Sequence, residues 1–143
     1  MSKRDEIVQA AQSWIGTPFH HAARCKGAGV DCANLLVAVF SAVGLLPPIT
    51  MEKYPQDWHL HRNQPRFLEA LDLYATKLGN DDEPLPGDVV MFKYGRHAAH
   101  GAILIGYPTI IHAWRDAGAV VYSDIDSGPL SQRIDSFWRM ENK

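Results

Sequence analysis

Apolar residues recur along the first half of the chain at the spacing of one face of an α-helix. A first helix is predicted after Ser2 and a second after Asp31, because both residues are favourable N-caps. A third helix is predicted to begin near Pro65, since proline suits the first helical position. The expected helix ends are Gly16, Gly44 and Gly79. The apolar stripes consist of Ile7, Ala10, Ala11, Trp14 and Ile15, then Leu35, Leu36, Val39, Phe40 and Val43, and finally Phe67, Leu68, Leu71, Tyr74, Ala75 and Leu78.

The pattern changes after residue 82, where short segments rich in β-branched and aromatic residues replace the helical stripes. Residues 85–88 read Leu-Pro-Gly-Asp and predict a type II turn, because proline and glycine take its two central positions. The predicted strands are Val89–Tyr94, Ala102–Ile105, Thr109–Trp114, Ala119–Ser123 and Ile134–Trp138. Helices followed by strands indicate the α+β class, with N-terminal helices packed on a mostly antiparallel β-sheet.

Length and composition are those of one ordinary folded domain. The 143 residues contain no repeat or linker that would divide them, so residues 1–143 are predicted to form a single domain. A formal net charge of −2 argues against a broad nucleic-acid interface, which needs a basic face. No apolar run approaches the ~20 residues that span a bilayer. The N-terminus lacks the features of a secretory signal, so synthesis in the cytoplasm is expected, with delivery elsewhere by another route left open.

The two cysteines and seven histidines direct attention to thiol chemistry. Cys32 directly follows the helix-capping Asp31 and occupies the first turn of the second helix. There the helix dipole and the unpaired backbone N–H groups favour the thiolate, which predicts a lowered pKa for the thiol. The same N–H groups suit the oxyanion of an acyl-transfer intermediate. The alternatives are a small buried apolar residue and a disulfide between Cys25 and Cys32.

A cysteine nucleophile needs a base, and the base usually needs a group that orients it. His100 and His112 lie in or beside consecutive predicted strands and are the candidates for these two roles. A loop at 106–108, closed by Ile105 opposite Thr109, would place both histidines on one face, ~7 Å apart between Cα atoms. A loop shorter by one residue would place them on opposite faces.

Metal binding is the alternative chemistry for the same residues. His97 and His100 could act as metal ligands, with His112 or Cys32 as a third ligand. The chain has no HExxH motif and no paired CxxC motifs, which are the spacings typical of zinc sites. No metal ion and no other cofactor is therefore expected.

The segment over residues 45–63 contains prolines, aromatic residues and histidines without a clear period. A segment of this length either covers a site or crosses the surface with its aromatic side chains packed on the core. The remaining histidines are expected to be polar loop groups: His20, His21, His59 and His61.

Five separated segments resemble, in the same order, motifs of the NlpC/P60 family of papain-like cell-wall cysteine peptidases. The segments are residues 14–19 (WIGTPF, similar to GTPY), 29–35 (GVDCANL, similar to GxDCSGL), 85–92 (LPGDVVMF, similar to LxPGDLVFF), 100–106 (HGAILIG, similar to HVGIYLG) and 111–113 (IHA, where the family has its third polar residue). The likeness extends over residues 5–125, and five motifs in the correct order form a specific signal.

The resemblance implies a papain-like α+β fold and hydrolysis of amide bonds in peptidoglycan stem peptides, such as the γ-D-glutamyl–diamino acid bond. It implies that Cys32 is the nucleophile, that His100 is the base and that His112 orients His100. It also places three residues in the substrate and oxyanion region: Phe19, Asp31 and Ala33. The expected binding partner is the stem peptide itself.

The segment Lys26-Gly27-Ala28-Gly29 ahead of Asp-Cys resembles short family members found in phage tail gene clusters. That likeness implies phage tail proteins as partners and action at the cell wall as a virion-associated or otherwise delivered enzyme. Two places depart from the family pattern, because Phe19 replaces a tyrosine and Ala33-Asn34 replace Ser-Gly. The alternatives are an acyltransferase or other amidase that uses the same thiol, and a non-catalytic component of a phage tail.

Overall fold

The computed structural model describes residues 2–47, 71–94 and 97–140. Its helices are α1 (Lys3–Gln12) and α2 (Cys32–Ala42). Its strands are β1 (Arg24–Cys25), β2 (Gly29–Val30), β3 (Ala75–Lys77), β4 (Val89–Tyr94), β5 (His97–Gly106), β6 (Thr109–Trp114), β7 (Ala119–Asp124) and β8 (Ile134–Met140). Residues 71–74 are also helical, and Arg115–Ala117 form a short 3₁₀ turn.

Six strands form one sheet in the order β3-β8-β4-β5-β6-β7, and every neighbouring pair is antiparallel. The short strands β1 and β2 form a separate hairpin. Helix α2 packs against β5 and β6, and α1 packs against α2 and β5. The predicted α+β class is confirmed. Within the described ranges, no helix is long and apolar enough to cross a membrane.

Both predicted N-caps are confirmed. The Ser2 side chain accepts a hydrogen bond from the N–H of Asp5 (3.1 Å), and Asp31 accepts one from the N–H of Asn34 (2.9 Å). Helix α2 lies at the centre of the core, where five of its side chains are fully buried: Leu35, Leu36, Val37, Val39 and Phe40. A second apolar cluster covers the other face of the sheet and includes Val90, Phe92, Ala102, Leu104 and Ile110.

The predicted third helix is wrong in its second half. Residues 71–74 are helical, but Ala75–Lys77 form β3, which pairs with β8. The N–H of Leu78 donates to the carbonyl of Phe137 at 2.9 Å, which continues this pairing. Contact with a strand distant in sequence therefore outweighs the local helical stripe. The predicted beginning of the helix at Pro65, Phe67 and Leu68 lies outside the described residues, as do residues 48–63 of the long segment with His59 and His61.

The predicted type II turn at residues 85–88 is confirmed. The N–H of Asp88 donates to the carbonyl of Leu85 at 3.0 Å, and Gly87 has the positive φ of 95° that this turn requires. The Asp88 carboxylate is buried and accepts hydrogen bonds from Arg4 (3.2 Å), from Arg139 (2.9 and 3.1 Å) and from the N–H of Leu85 (2.8 Å). Asp88 thus joins α1, the turn and β8.

Candidate active site

Cys32 is the first residue of α2 and its side chain is half-buried. Backbone N–H groups of Gly101, Ala33 and Cys32 itself are hydrogen-bonded to the thiol. Gly101 directly follows His100 in β5. The bond from Gly101 therefore brings the start of α2 next to the strand position of His100.

Helix α2 approaches β5 closely because Gly101 has no side chain. A Cβ atom at this position would lie 2.6 Å from Leu36 Cδ1 and 3.1 Å from Met91 Sδ. Leu36 lies one helical turn after Cys32, on the part of α2 that rests on the strand. The glycine in the His-Gly pair thus has a packing role, since it lets the first turns of α2 lie against the strand that carries His100.

The predicted lowering of the Cys32 pKa is wrong for the resting protein. Burial raises the pKa of the Cys32 thiol to about 12, and the negative charge of Asp31 adds to this rise. The N–H groups of Gly101, Ala33 and Cys32 act in the opposite direction, as the helix-start argument predicts, but they are outweighed. The resting site therefore holds a thiol rather than a thiolate at neutral pH.

Asp31 organises the chain around Cys32. One carboxylate oxygen accepts hydrogen bonds from the backbone N–H (2.9 Å) and the side-chain amide (3.0 Å) of Asn34, and the other accepts the N–H of Ala22 (2.8 Å). Ala22 has a positive φ of 61°, so its loop conformation depends on such an anchor. Asp31 and Asn34 are both only 3% exposed. Asn34, which departs from the family pattern, is therefore a buried partner of the cap.

Phe19 lies beside the chain that leads into Cys32. It forms a β-bridge with Val30, two residues before Cys32, and its N–H donates to the carbonyl of Gly118 at 2.8 Å. Its ring is partly buried and packs against the main core. The structure thus places the backbone of Phe19 near the predicted substrate region, while Ala33 contributes its N–H to the thiol.

The structure brings His100 and His112 into direct contact. His100 Nε2 and His112 Nδ1 are 2.7 Å apart, which is hydrogen-bond distance. His112 is fully buried, and its ring stacks on Trp114 with 5.2 Å between the ring centroids. The ring of Phe92 lies 5.7 Å from that of His100. The predicted shared face of the two histidines is confirmed.

The hairpin that joins the two strands differs from the predicted one. Thr109 pairs with Gly106, which leaves a loop of two residues instead of the predicted three. A β-bulge between Leu104 and Gly106 adds one unpaired residue, so Leu104 still pairs with Ile110 as in the predicted register. The bulge thus restores the alternation that a two-residue loop alone would have reversed.

Ser123 is a site residue that the sequence analysis missed. Its Oγ lies 2.7 Å from His112 Nε2, on the side of the ring opposite His100. In the ladder of β6 and β7, His112 pairs with Val121, and Ser123 is the next residue on the same face. The alternation of side chains along β6 and β7 predicts this contact once the turn after Trp114, and with it the register of β7, is known.

Burial holds His112 in its neutral form. Burial lowers the pKa of His112 to about 4, so the ring carries no charge at neutral pH. His112 therefore acts on His100 as a neutral hydrogen-bond partner and supplies no counter-charge. Because His100 uses Nε2 for this bond, exchange of a proton with a thiol would go through Nδ1.

The neutral His112 predicts a loss of stability in acid. Its folded pKa of about 4 lies below the ordinary histidine value of 6.5, so between those pH values the unfolded chain binds more protons and stability falls as the pH falls. From about pH 7.5 to about pH 5, the wild type should lose about 2 kcal/mol more than His112→Gln, which has no titrating group there. Urea titrations of both proteins at the two pH values measure this difference, and equal losses would contradict the assigned ionisation.

The other predictions from the sequence concern a disulfide, loop residues and a metal site. Cys25 and Cys32 are free thiols, so the alternative of a disulfide between them is not realised. Lys26 donates to Ser13 Oγ at 2.7 Å. His20 is an exposed loop residue. No group of three or more ligand side chains in the described part of the chain is arranged for a metal ion, and the side chain of His97 lies outside that part.

Comparison with known proteins agrees with the fold described above. The model of the NlpC/P60 family matches residues 16–139. NlpC2 from Trichomonas vaginalis is similar in structure, with a TM-score of 0.70, 17% identity and coverage of 99% of this chain and 47% of that one. The NlpC/P60 domain of the peptidoglycan hydrolase SagA gives a TM-score of 0.65 at 20% identity, with 96% and 98% coverage. The peptidoglycan hydrolase RipB from Mycobacterium tuberculosis gives 0.60 at 15% identity, with 98% and 66% coverage.

No curated protein matches the chain. The chain spans about half the length of the Trichomonas vaginalis protein and 40% of an NlpC/P60 family protein from Bacillus cereus. At identities of 20% or less these structures show a common fold. Because the family model matches most of the chain, the chain belongs to the NlpC/P60 family.

Proposed function

We propose that this chain is a cysteine peptidase that hydrolyses amide bonds in peptidoglycan stem peptides, with the γ-D-glutamyl–diamino acid bond as a target. The observation that supports it most is the arrangement of the thiol. Cys32 begins α2 and accepts the N–H of Gly101, next to His100, which is bonded to His112. The family membership supports the substrate class, because the similar proteins SagA and RipB are named as peptidoglycan hydrolases.

The proposed reaction begins from a neutral thiol, because burial raises the pKa of Cys32 to about 12. His100 takes the thiol proton on Nδ1 as Sγ attacks the amide carbonyl, which gives a tetrahedral intermediate. N–H groups at the start of α2, such as that of Ala33, stabilise the oxyanion. His100 then gives the proton to the leaving amine, and a thioester remains on Cys32. His100 next deprotonates the attacking water, and collapse of the second intermediate releases the acid and restores the thiol.

Asp31 and Phe19 take supporting roles in this proposal. Asp31 holds the first turn of α2 through Asn34 and the preceding loop through Ala22, so that it fixes the position of Cys32. Phe19 supports the chain at Val30 through its backbone and packs its ring on the core. The tyrosine hydroxyl of the family pattern is replaced in this proposal by backbone N–H groups near the thiol.

The proposed substrate also defines where the protein acts. Peptidoglycan lies in the cell wall, so the proposal includes delivery to the wall as a virion-associated or otherwise transported enzyme. An association with phage tail proteins stays a prediction from the segment Lys26-Gly27-Ala28-Gly29. Acyl transfer by the same thiol is the competing reaction, and the products distinguish it from hydrolysis.

Defined stem peptides that differ in their diamino acid test the proposed function. After incubation with the protein, mass spectrometry should show cleavage of one amide bond with the addition of one water molecule. The same incubation with an added amine acceptor should give the free acid as the main product. A product that carries the acceptor would show that the protein catalyses acyl transfer instead of hydrolysis. Intact peptides together with intact murein would refute the proposal.

A further inference from the structure

Three side chains from adjacent strands form a continuous row of hydrogen bonds. His100 on β5 contacts His112 on β6 at 2.7 Å, and His112 contacts Ser123 on β7 at 2.7 Å. We propose that Ser123 is a positioning residue, which fixes the proton of His112 on Nε2 and thereby keeps Nδ1 of His100 available as the base for Cys32. This inference rests on the proposed function of Cys32 and His100, and it assigns a role to a residue outside that set.

The number of protons on a neutral ring determines the direction of both hydrogen bonds. Neutral imidazole has one N–H, so one nitrogen donates and the other accepts. If Ser123 Oγ accepts from His112 Nε2–H, then His112 Nδ1 accepts from His100 Nε2–H. His100 then has its lone pair on Nδ1, where the thiol proton must arrive. After that transfer both nitrogens of His100 carry protons, and His112 Nδ1 is still an acceptor for one of them.

The opposite arrangement would disable the base. If His112 carried its proton on Nδ1, that proton would be donated to His100 Nε2, and His100 would hold its own proton on Nδ1. Nδ1 of His100 would then carry a proton and could not accept one from the thiol. The identity of the acceptor at His112 Nε2 therefore decides whether His100 can react.

The surroundings of the His112 ring make Ser123 the residue that determines which ring nitrogen carries the proton. His112 is 0% exposed and stacked on Trp114, so an N–H without an acceptor would be costly at Nε2. Ser123 is half-exposed, so its own O–H can turn towards solvent while its oxygen accepts. A serine can thus accept the N–H of the buried ring and donate its own O–H to water. Alanine at this position would remove the acceptor and let the proton move to Nδ1.

Nuclear magnetic resonance of the ring nitrogens tests the inference directly. Long-range ¹H–¹⁵N spectra of the wild type with labelled histidine should show His112 protonated on Nε2 and unprotonated on Nδ1. In Ser123→Ala the proton should be found on Nδ1 or shared between the two nitrogens. A wild type with the proton on Nδ1, or a variant with the wild-type tautomer, would overturn the inference.

Kinetics on a cleaved stem peptide provide the second test. Ser123→Ala should lower kcat by about tenfold, the value of one lost hydrogen bond, and leave KM within about twofold. Ser123→Thr should restore the rate because it keeps the hydroxyl. Ser123→Val should not, although valine is nearly isosteric with threonine. Ser131→Ala is the matched control, since it removes a 2.8 Å bond to the Gly128 carbonyl in a loop outside the row. Equal rates for the Thr and Val variants would contradict the role of the hydroxyl.

The two tests separate this inference from the proposed function. If the wild type cleaves no stem peptide, the proposed function fails, while the tautomer of His112 still decides the role of Ser123. In that case the rate at which iodoacetamide alkylates Cys32 is measured in place of kcat, because alkylation also requires removal of the thiol proton. It should be about tenfold slower in Ser123→Ala. An unchanged alkylation rate or an unchanged tautomer in this variant would each refute the positioning role.

Discussion

Replacing Cys32 with alanine should abolish amide hydrolysis, with a loss of at least about 10⁴-fold in kcat, because no other group in the proposed mechanism forms the covalent intermediate. The fold should be retained. The change removes one half-buried sulfur atom at the first position of α2, while the capping bonds of Asp31 to Asn34 remain. Product formation from a stem peptide that the wild type cleaves measures the loss, and thermal unfolding checks the fold.

Cys25→Ala provides the matched control for this variant. It makes the same chemical change at an exposed position in the β1–β2 hairpin. The control should keep the wild-type rate, so the pair separates loss of a nucleophile from loss of a thiol in general. If Cys32→Ala digested the peptide at the wild-type rate, the assignment of the nucleophile would be wrong.

Replacing Asp88 with alanine should lower the free energy of unfolding by about 3 kcal/mol, the low end of the effect of removing one partner from a buried ion pair, because both guanidinium partners are partly exposed. The carboxylate is 1% exposed and receives hydrogen bonds from Arg4, Arg139 and the turn residue Leu85. Its loss would remove this carboxylate from both guanidinium groups and break the link that Asp88 forms between α1, the turn and β8. Urea denaturation at neutral pH measures the change.

Asp82→Ala is the control for the Asp88 variant. Asp82 is exposed and accepts a hydrogen bond from the N–H of Gly79 at 2.7 Å. The control should cost about 1 kcal/mol, as expected for one exposed bond of this kind. A loss of the same size for both variants would show that burial of the ion pair at Asp88 does not determine its contribution.

The local pattern predicted those elements whose caps or alternation are contained in the element itself. Ser2 and Asp31 cap α1 and α2 as predicted, and β4 and β6 have the predicted bounds. The helical stripe failed at Ala75–Lys77, because the partner strand β8 lies some sixty residues further along the chain. No property of the stripe itself reveals a pairing at that separation.

The candidate site was predicted in its residues but not in its electrostatics. Cys32, His100 and His112 were identified by residue type and motif, and the structure places the two histidines in contact. Their catalytic roles stay predictions. The direction of the Cys32 pKa was wrong because the sequence shows the helix start and not the depth of burial. Ser123 was missed because its contact depends on the register of a third strand.

Because of the β-bulge beside Gly106, the alignment of the two histidines does not follow from the length of the hairpin loop alone. The spare residue lies on the turn side of the Leu104–Ile110 pair, so it is absorbed before the ladder reaches His112. Deleting Ile105 would regularise the hairpin and leave that pair unchanged. The contact between His100 and His112 is thus set by the Leu104–Ile110 pair and the ladder behind it, and the number of residues in the tip of the hairpin does not determine it.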